Sequence, residues 1–141
     1  MTQEENQLLL KDLCARLPHG VICHTEKGDG YLCSINQTIF GTEYGININP
    51  LKRDYFNDSE TDEQAVKPYL RTLSSMTEKE NEELKYVIEL GLQALEGEEG
   101  HNTVSAAPAA FEIDFYNKHH LDYRGLIEKG LALESRKDMY K

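Results

Sequence analysis

The feature that most constrains this fold is the order in which the hydrophobic period changes along the chain. Apolar residues recur at helical spacing up to Leu17, alternate with polar residues between residues 21 and 48, and return to helical spacing from Leu84. Strands clustered early and helices clustered late favour segregated layers over repeated parallel crossovers. We therefore predict an α+β fold, in which a small antiparallel sheet of three or four strands carries about four helices packed against it.

Residues 21–25 and 31–35 are predicted to form a β-hairpin around a five-residue, glycine-bearing loop at 26–30. In that register Tyr31, Cys33 and Ile35 share one strand face, and Cys23 faces the core together with Cys33. A further strand is expected over residues 46–48, and another over 66–72, where Pro68 would place it at a sheet edge.

The predicted helices are marked by their termini. The first spans residues 3–17, and Pro18 and Gly20 end it. A capping box at residues 77–80 starts the second, which carries an apolar stripe from Leu84 to Leu95. The third is expected to begin near Pro108, and the fourth at Asp122 as its N-cap.

Length and charge limit the class of protein. A chain of 141 residues fits one globular domain, residues 1–141, with mobile loops expected near 52–64 and 97–107. The net charge of −10 disfavours nucleic acid and anionic membranes as partners and suits a basic protein. No apolar run reaches the roughly 18 residues of a membrane span. A polar N-terminus and three cysteines, expected to be free and mostly buried, indicate a cytoplasmic protein.

Four segments carry a resemblance to a known group of proteins: residues 17–25, 67–71, 74–77 and 119–134. They resemble small proteins of gut bacteria that are often associated with phage or other mobile elements, a group with no assigned activity. The resemblance covers most of the chain and is weakest from about Tyr86 to Glu112. It implies a bacterial, cytoplasmic protein, and no catalytic residue can be transferred from it.

The first candidate site is a run of titratable and aromatic residues between the third and fourth predicted helices. Its members are His119, His120, Asp122, Tyr123 and Arg124. Imidazole and carboxylate groups are ordinary metal ligands, but adjacent helical residues point about 100° apart and chelate one ion poorly. A helix–helix junction, with Asp122 as a cap, explains the same residues. We expect an interaction surface here, and no catalytic, cofactor or metal residues.

Three functions remain open from the sequence. The leading hypothesis is a non-enzymatic, acidic, protein-binding accessory protein of a bacterial mobile element, without a cofactor. The first alternative is a small metal-dependent or Cys/His hydrolase that uses the His119/His120 region, with Cys23 as a candidate thiol. The second alternative is an acidic decoy that occupies the basic cleft of a nucleic-acid-binding protein.

Overall fold

The structure, a computed structural model, describes residues 2–39, 41–57, 66–96 and 107–140. Its described part is an α+β fold with a six-stranded mixed sheet. The helices are α1 (Gln3–Arg16), α2 (Glu78–Glu96) and α3 (Ala107–Lys118). The strands are β1 (Ile22–Thr25), β2 (Gly28–Thr38), β3 (Gly41–Asn49), β4 (Lys52–Asn57), β5 (Val66–Leu70) and β6 (Leu133–Glu134).

The sheet order is β4-β3-β2-β1-β5-β6. All neighbours are antiparallel except β5 and β6, which run parallel and are joined by the segment that contains α2 and α3. A parallel bridge between Arg71 and Leu121 holds the end of α3 beside the end of β5. The α+β class was therefore predicted correctly, whereas the sheet is larger than the predicted three or four strands and is not purely antiparallel.

The core lies between one sheet face and two covering segments. Leu9 and Leu13 of α1, together with Leu126 and Leu131 of the C-terminal turns, pack against the buried strand residues. These residues are Val21, which immediately precedes β1, and Cys23, Leu32, Tyr44, Ile46, Phe56, Val66 and Leu70 within the strands. Burial of apolar surface against this face is the main stabilising contribution to the body of the protein.

The first hairpin differs from its predicted register. β2 begins at Gly28, so the loop is two residues long, and Ile22 pairs with Tyr31. Leu32 therefore faces the core, whereas Tyr31 is 54% exposed and Cys33 is half-buried. Thr25 pairs with Gly28 instead of Tyr31, a shift of three residues, and a shift by an odd number of residues moves every side chain to the opposite face. Glycine is required inside this strand, because a Cβ at Gly30 would lie 2.5 Å from the carbonyl oxygen of Asn47.

Three other expectations need correction. Residues 52–57, expected to belong to a mobile loop, form β4, while 58–64 and 97–106 lie outside the described residues. Pro68 lies in β5, which has neighbours on both sides, but its pairing with β6 begins only at Tyr69. Only Cys23 among the three free cysteines is buried, and Cys14 is exposed.

The predicted fourth helix is absent from the described chain. Asp122 does accept backbone hydrogen bonds, from the amides of Leu126 and Ile127 at 2.9 and 3.0 Å, but they organise a series of turns. Gly125 and Gly130 adopt left-handed conformations with φ of 72° and 74°. Left-handed residues end a helix, so the stretch between these two glycines is too short for a stable one.

Candidate functional site

The C-terminal end of α3 forms one wall of a pocket with a volume of about 330 Å³. Its other walls come from the 3₁₀ turn after α1, from β2, from the end of β5 and from the C-terminal segment. The lining residues are His19, Gly20, Tyr31, Arg71, Lys118, His119, His120, Met139 and Tyr140. Two of the five residues predicted as an interaction surface, His119 and His120, therefore lie in a pocket.

A Schellman motif places His120. The amide of His120 donates to the carbonyl of Asn117 at 3.3 Å, and the amide of Leu121 donates to the carbonyl of Tyr116 at 2.9 Å. His120 occupies the left-handed position of this motif, with φ of 60°. Glycine is the usual residue there because a side chain strains the left-handed backbone. A histidine at this position turns an imidazole ring into the pocket wall.

The His120 ring is held by stacking. It lies on the Tyr140 ring with centroids 3.7 Å apart and an interplanar angle of 13°. The Tyr140 hydroxyl donates to the carbonyl of Tyr69 at 2.7 Å and accepts from the amide of Ile22 at 2.8 Å. Burial, with Arg16 and other cationic groups nearby, lowers the pKa of His120 to about 4. The imidazole is therefore neutral at pH 7.

The neighbouring His119 belongs to an ionic network at the N-terminal end of α2. Arg71 donates two hydrogen bonds of 2.7 Å to Glu80, and His119 lies 3.3 Å from the same carboxylate. The Arg71 guanidinium and the Thr77 amide hold the pKa of Glu80 at about 2. Burial lowers the pKa of His119, although Glu80 and Glu83 oppose that shift. This network fixes the position of the pocket wall.

The other three predicted residues have internal roles. Asp122 organises the turns that follow it, and Arg124 lies 3.2 Å from Asp12, within ion-pair distance but without hydrogen-bond alignment. Tyr123 stacks on Tyr116 with centroids 5.5 Å apart, and the guanidinium of Arg124 lies over its ring. None of the three lines the pocket described above.

Sequence reasoning missed a buried ion pair on α1. Arg16 donates to Asp12 at 2.8 and 3.2 Å, and both side chains are fully buried. A third hydrogen bond of 2.7 Å joins Arg16 to the carbonyl of Leu121. The signal was present in the spacing, because residues 12 and 16 are on the same helical face as Leu9 and Leu13.

A second polar cluster lies on β1, β2 and β5. His24 is 2.8 Å from Asp29, and the hydroxyl of Tyr69 donates to Asp29 at 3.1 Å. Burial and the hydrogen bond to Asp29 raise the pKa of Tyr69. A carboxylate on one imidazole nitrogen orients the ring as in a general base. The adjacent thiol, Cys23, points into the core and is fully buried, so it is not available to His24 as a nucleophile.

The surroundings of Cys23 do not favour the predicted hydrolase chemistry. Burial raises the pKa of this thiol strongly, and Cys23 does not line the pocket that contains His119 and His120. In the part of the chain that the structure describes, no three His, Cys, Asp or Glu side chains come close enough together to hold a metal ion.

A separate surface lies on the solvent side of α2. Tyr86 is 62% exposed and Leu90 is 39% exposed, one helical turn apart on the same face. Exposed carboxylates surround them at helical spacings of three and four residues. We call this surface the α2 face; it comprises Glu82, Glu83, Tyr86, Glu89 and Leu90. The opposite side of α2, with Leu84, Val87 and Ile88, packs chiefly against α3 and stays only half-buried.

Comparisons with protein-family models, with curated proteins and with solved structures found no significant match to this chain. Across the described residues, every helix falls short of the length or the apolar character that crossing a membrane requires.

Proposed function

We propose that this protein is a non-enzymatic binding protein that recognises a basic protein partner through the α2 face. One observation carries the proposal: an exposed tyrosine and leucine lie among three exposed glutamates on a helix that packs chiefly against one other helix. Exposed apolar side chains rimmed by polar residues are typical of protein–protein interaction sites, so this face is suited to a partner.

The charge of the face supports a basic partner. Glu82, Glu83 and Glu89 rim the two apolar side chains, and the whole chain carries a net charge of −10. A second copy of the chain would meet this rim with like charge, which disfavours self-association here. The complementary surface is a basic amphipathic helix, whose apolar residues contact Tyr86 and Leu90 while its lysines or arginines meet the rim.

The resemblance to small proteins of gut bacterial mobile elements supports the biological setting. We infer a cytoplasmic accessory protein of such an element, acting on a basic host or phage protein. The hydrolase alternative has less support because Cys23 is fully buried. The acidic decoy shares the glutamates with our proposal and differs in one respect: it gives Tyr86 and Leu90 no role.

The test is a comparison of captured proteins. The wild-type chain and the double variant Tyr86→Ala/Leu90→Ser are used as bait in a bacterial lysate, and bound proteins are identified by mass spectrometry. We expect a basic protein that binds the wild type and is lost at least tenfold in the variant, because interface aromatic residues contribute most of the binding energy.

Leu51→Ser is the matched control, because Leu51 is 95% exposed and lies outside the α2 face. The control should capture the same partner as the wild type. A further bait, Glu82→Gln/Glu83→Gln/Glu89→Gln, isolates the charge of the face. Loss of capture in this bait, with no effect of the double variant, would favour the decoy. Capture that is equal for every bait would contradict binding through the α2 face.

A further inference from the structure

The pocket at the end of α3 differs in charge from the rest of the protein. Five of its lining residues have basic side chains, of which His120 is neutral at pH 7, and among the described residues that line it none carries a carboxylate. The Arg71 guanidinium donates hydrogen bonds to Glu80 and Ser75, whereas Lys118 and His19 have exposed side chains at the pocket. Two carboxylates lie next to this wall: Glu80 is 3.3 Å and Glu83 is 3.7 Å from His119, and Arg71 offsets the charge of Glu80. Lys118 therefore provides the exposed positive charge at the pocket.

A polar atom in the pocket wall lacks a partner. His120 is 9% exposed, and its Nδ1 is buried without a hydrogen-bond partner within the described residues. Most buried polar atoms in proteins are hydrogen-bonded, so an unpaired one in a residue that lines a pocket is unusual, and a small rotation of the His120 ring would bring it into contact with a bound molecule. His120 also stands where the left-handed backbone favours glycine, and such strained residues cluster at functional sites.

Aromatic surfaces form the rest of the wall. Tyr31 is 54% exposed at the pocket, and Tyr140 stacks on His120. The hydrogen bonds of the Tyr140 hydroxyl to the backbone of Ile22 and Tyr69 fix its ring in place. Fixed rings provide a flat surface against which a planar group can stack.

We propose that this pocket binds a small organic phosphate that carries an aromatic ring, of the size of a nucleoside monophosphate. The phosphate would contact Lys118 and His19, since a group with several acceptor oxygens suits two donors that line the same pocket. The ring would pack against Tyr31 and the His120–Tyr140 stack. A volume of about 330 Å³ lies at the small end of the range for ligand pockets, which fits a single mononucleotide.

The experiment is calorimetric titration of the full chain with adenosine 5′-monophosphate, and in parallel with adenosine and with inorganic phosphate. We expect saturable binding of the monophosphate below about 1 mM, weaker binding of either fragment, and at least a tenfold loss of affinity in Lys118→Gln, because a charged hydrogen bond is removed. Lys129→Gln is the control, with the same change of charge at an exposed residue outside the pocket.

A second variant tests the wall. His120→Gly should fold, because glycine is the usual residue at this position of a Schellman motif, and should lose binding together with the imidazole. Equal affinity for adenosine and its monophosphate would overturn the phosphate contact. No saturation by any of the three probes, or unchanged affinity in both Lys118→Gln and His120→Gly, would overturn the site. None of these variants alters the α2 face, so this result is independent of the proposed protein binding.

Discussion

At the scale of single residues, Asp12 and Arg16 show how a charged pair can be part of a core. Both are fully buried, and Arg16 also donates to the carbonyl of Leu121, so the pair joins α1 to the segment that follows α3. Arg124 adds a second cation within 3.2 Å of Asp12. Because ions lose hydration on burial, each charge depends on the other for compensation.

We predict that Arg16→Met lowers the free energy of unfolding by about 3–5 kcal/mol, because it leaves the Asp12 carboxylate buried beside a less well-aligned cation. Chemical denaturation followed by circular dichroism measures this loss. Lys11→Met, on the exposed side of α1, is the control and should change stability little. The double variant Asp12→Leu/Arg16→Met should be more stable than Arg16→Met alone, and a purely additive loss would contradict coupling of the pair.

The residues of the pocket could be predicted only in part. His119 and His120 attracted attention because two adjacent histidines are conspicuous in sequence. Tyr31 and Tyr140 are 109 positions apart in the chain and meet only through tertiary structure, so no local spacing identifies them. The left-handed backbone of His120 could not be predicted, for a different reason. Glycine is the usual sequence signal of such a turn, and this position is not a glycine.

At the scale of elements, helices with strong terminal signals were predicted correctly from the sequence. The prediction failed where one residue type is typical of two structures, such as a helix cap and a turn. The capping box at 77–80 is present: the Thr77 hydroxyl accepts from the Glu80 amide at 3.2 Å, and Glu80 accepts from the Thr77 amide at 3.0 Å. Asp122 capped no helix, since the same side chain also serves turns. The hairpin register was misjudged because Gly28 and Gly30 resemble loop residues and instead permit close strand packing.

Glu80 gives α2 a pH dependence. Its pKa is lowered from 4.5 to about 2 by Arg71 and Thr77, so the stability that it contributes is present above about pH 4.5 and lost as the pH falls towards 2. We predict that Glu80→Gln is less stable than the wild type near neutral pH, and that this difference shrinks between pH 4.5 and 2. Urea denaturation over this pH range measures it.

Glu82→Gln is the control for this prediction, because Glu82 is exposed on the same helix. It should follow the wild-type pH dependence closely. A stability difference between Glu80→Gln and the wild type that stays constant down to about pH 2 would mean that the carboxylate charge contributes nothing, and that only its hydrogen-bond geometry matters.

At the scale of the whole molecule, the net charge of −10 opposes contact with polyanions. We predict no saturable binding of duplex DNA at micromolar protein and about 150 mM salt, because Lys/Arg contacts to phosphates supply most non-specific affinity. Fluorescence anisotropy of a labelled duplex measures this, with a cationic DNA-binding protein as the positive control. Saturable binding would show that a local basic surface, such as Lys52 and Arg53, dominates over the net charge.

The parallel bridge between Arg71 and Leu121 has a consequence for how this protein can change. It holds the two ends of the α2–α3 hairpin at neighbouring positions, about one strand spacing or roughly 4.8 Å apart. A chain segment whose two ends are already neighbours can be lengthened, shortened or exchanged while the strands on either side keep their pairing. We therefore expect a chimaera that carries a different helical pair between these two residues to keep the pairing of the sheet, which thermal unfolding followed by circular dichroism would show, while it loses the pocket walls that His119 and His120 provide.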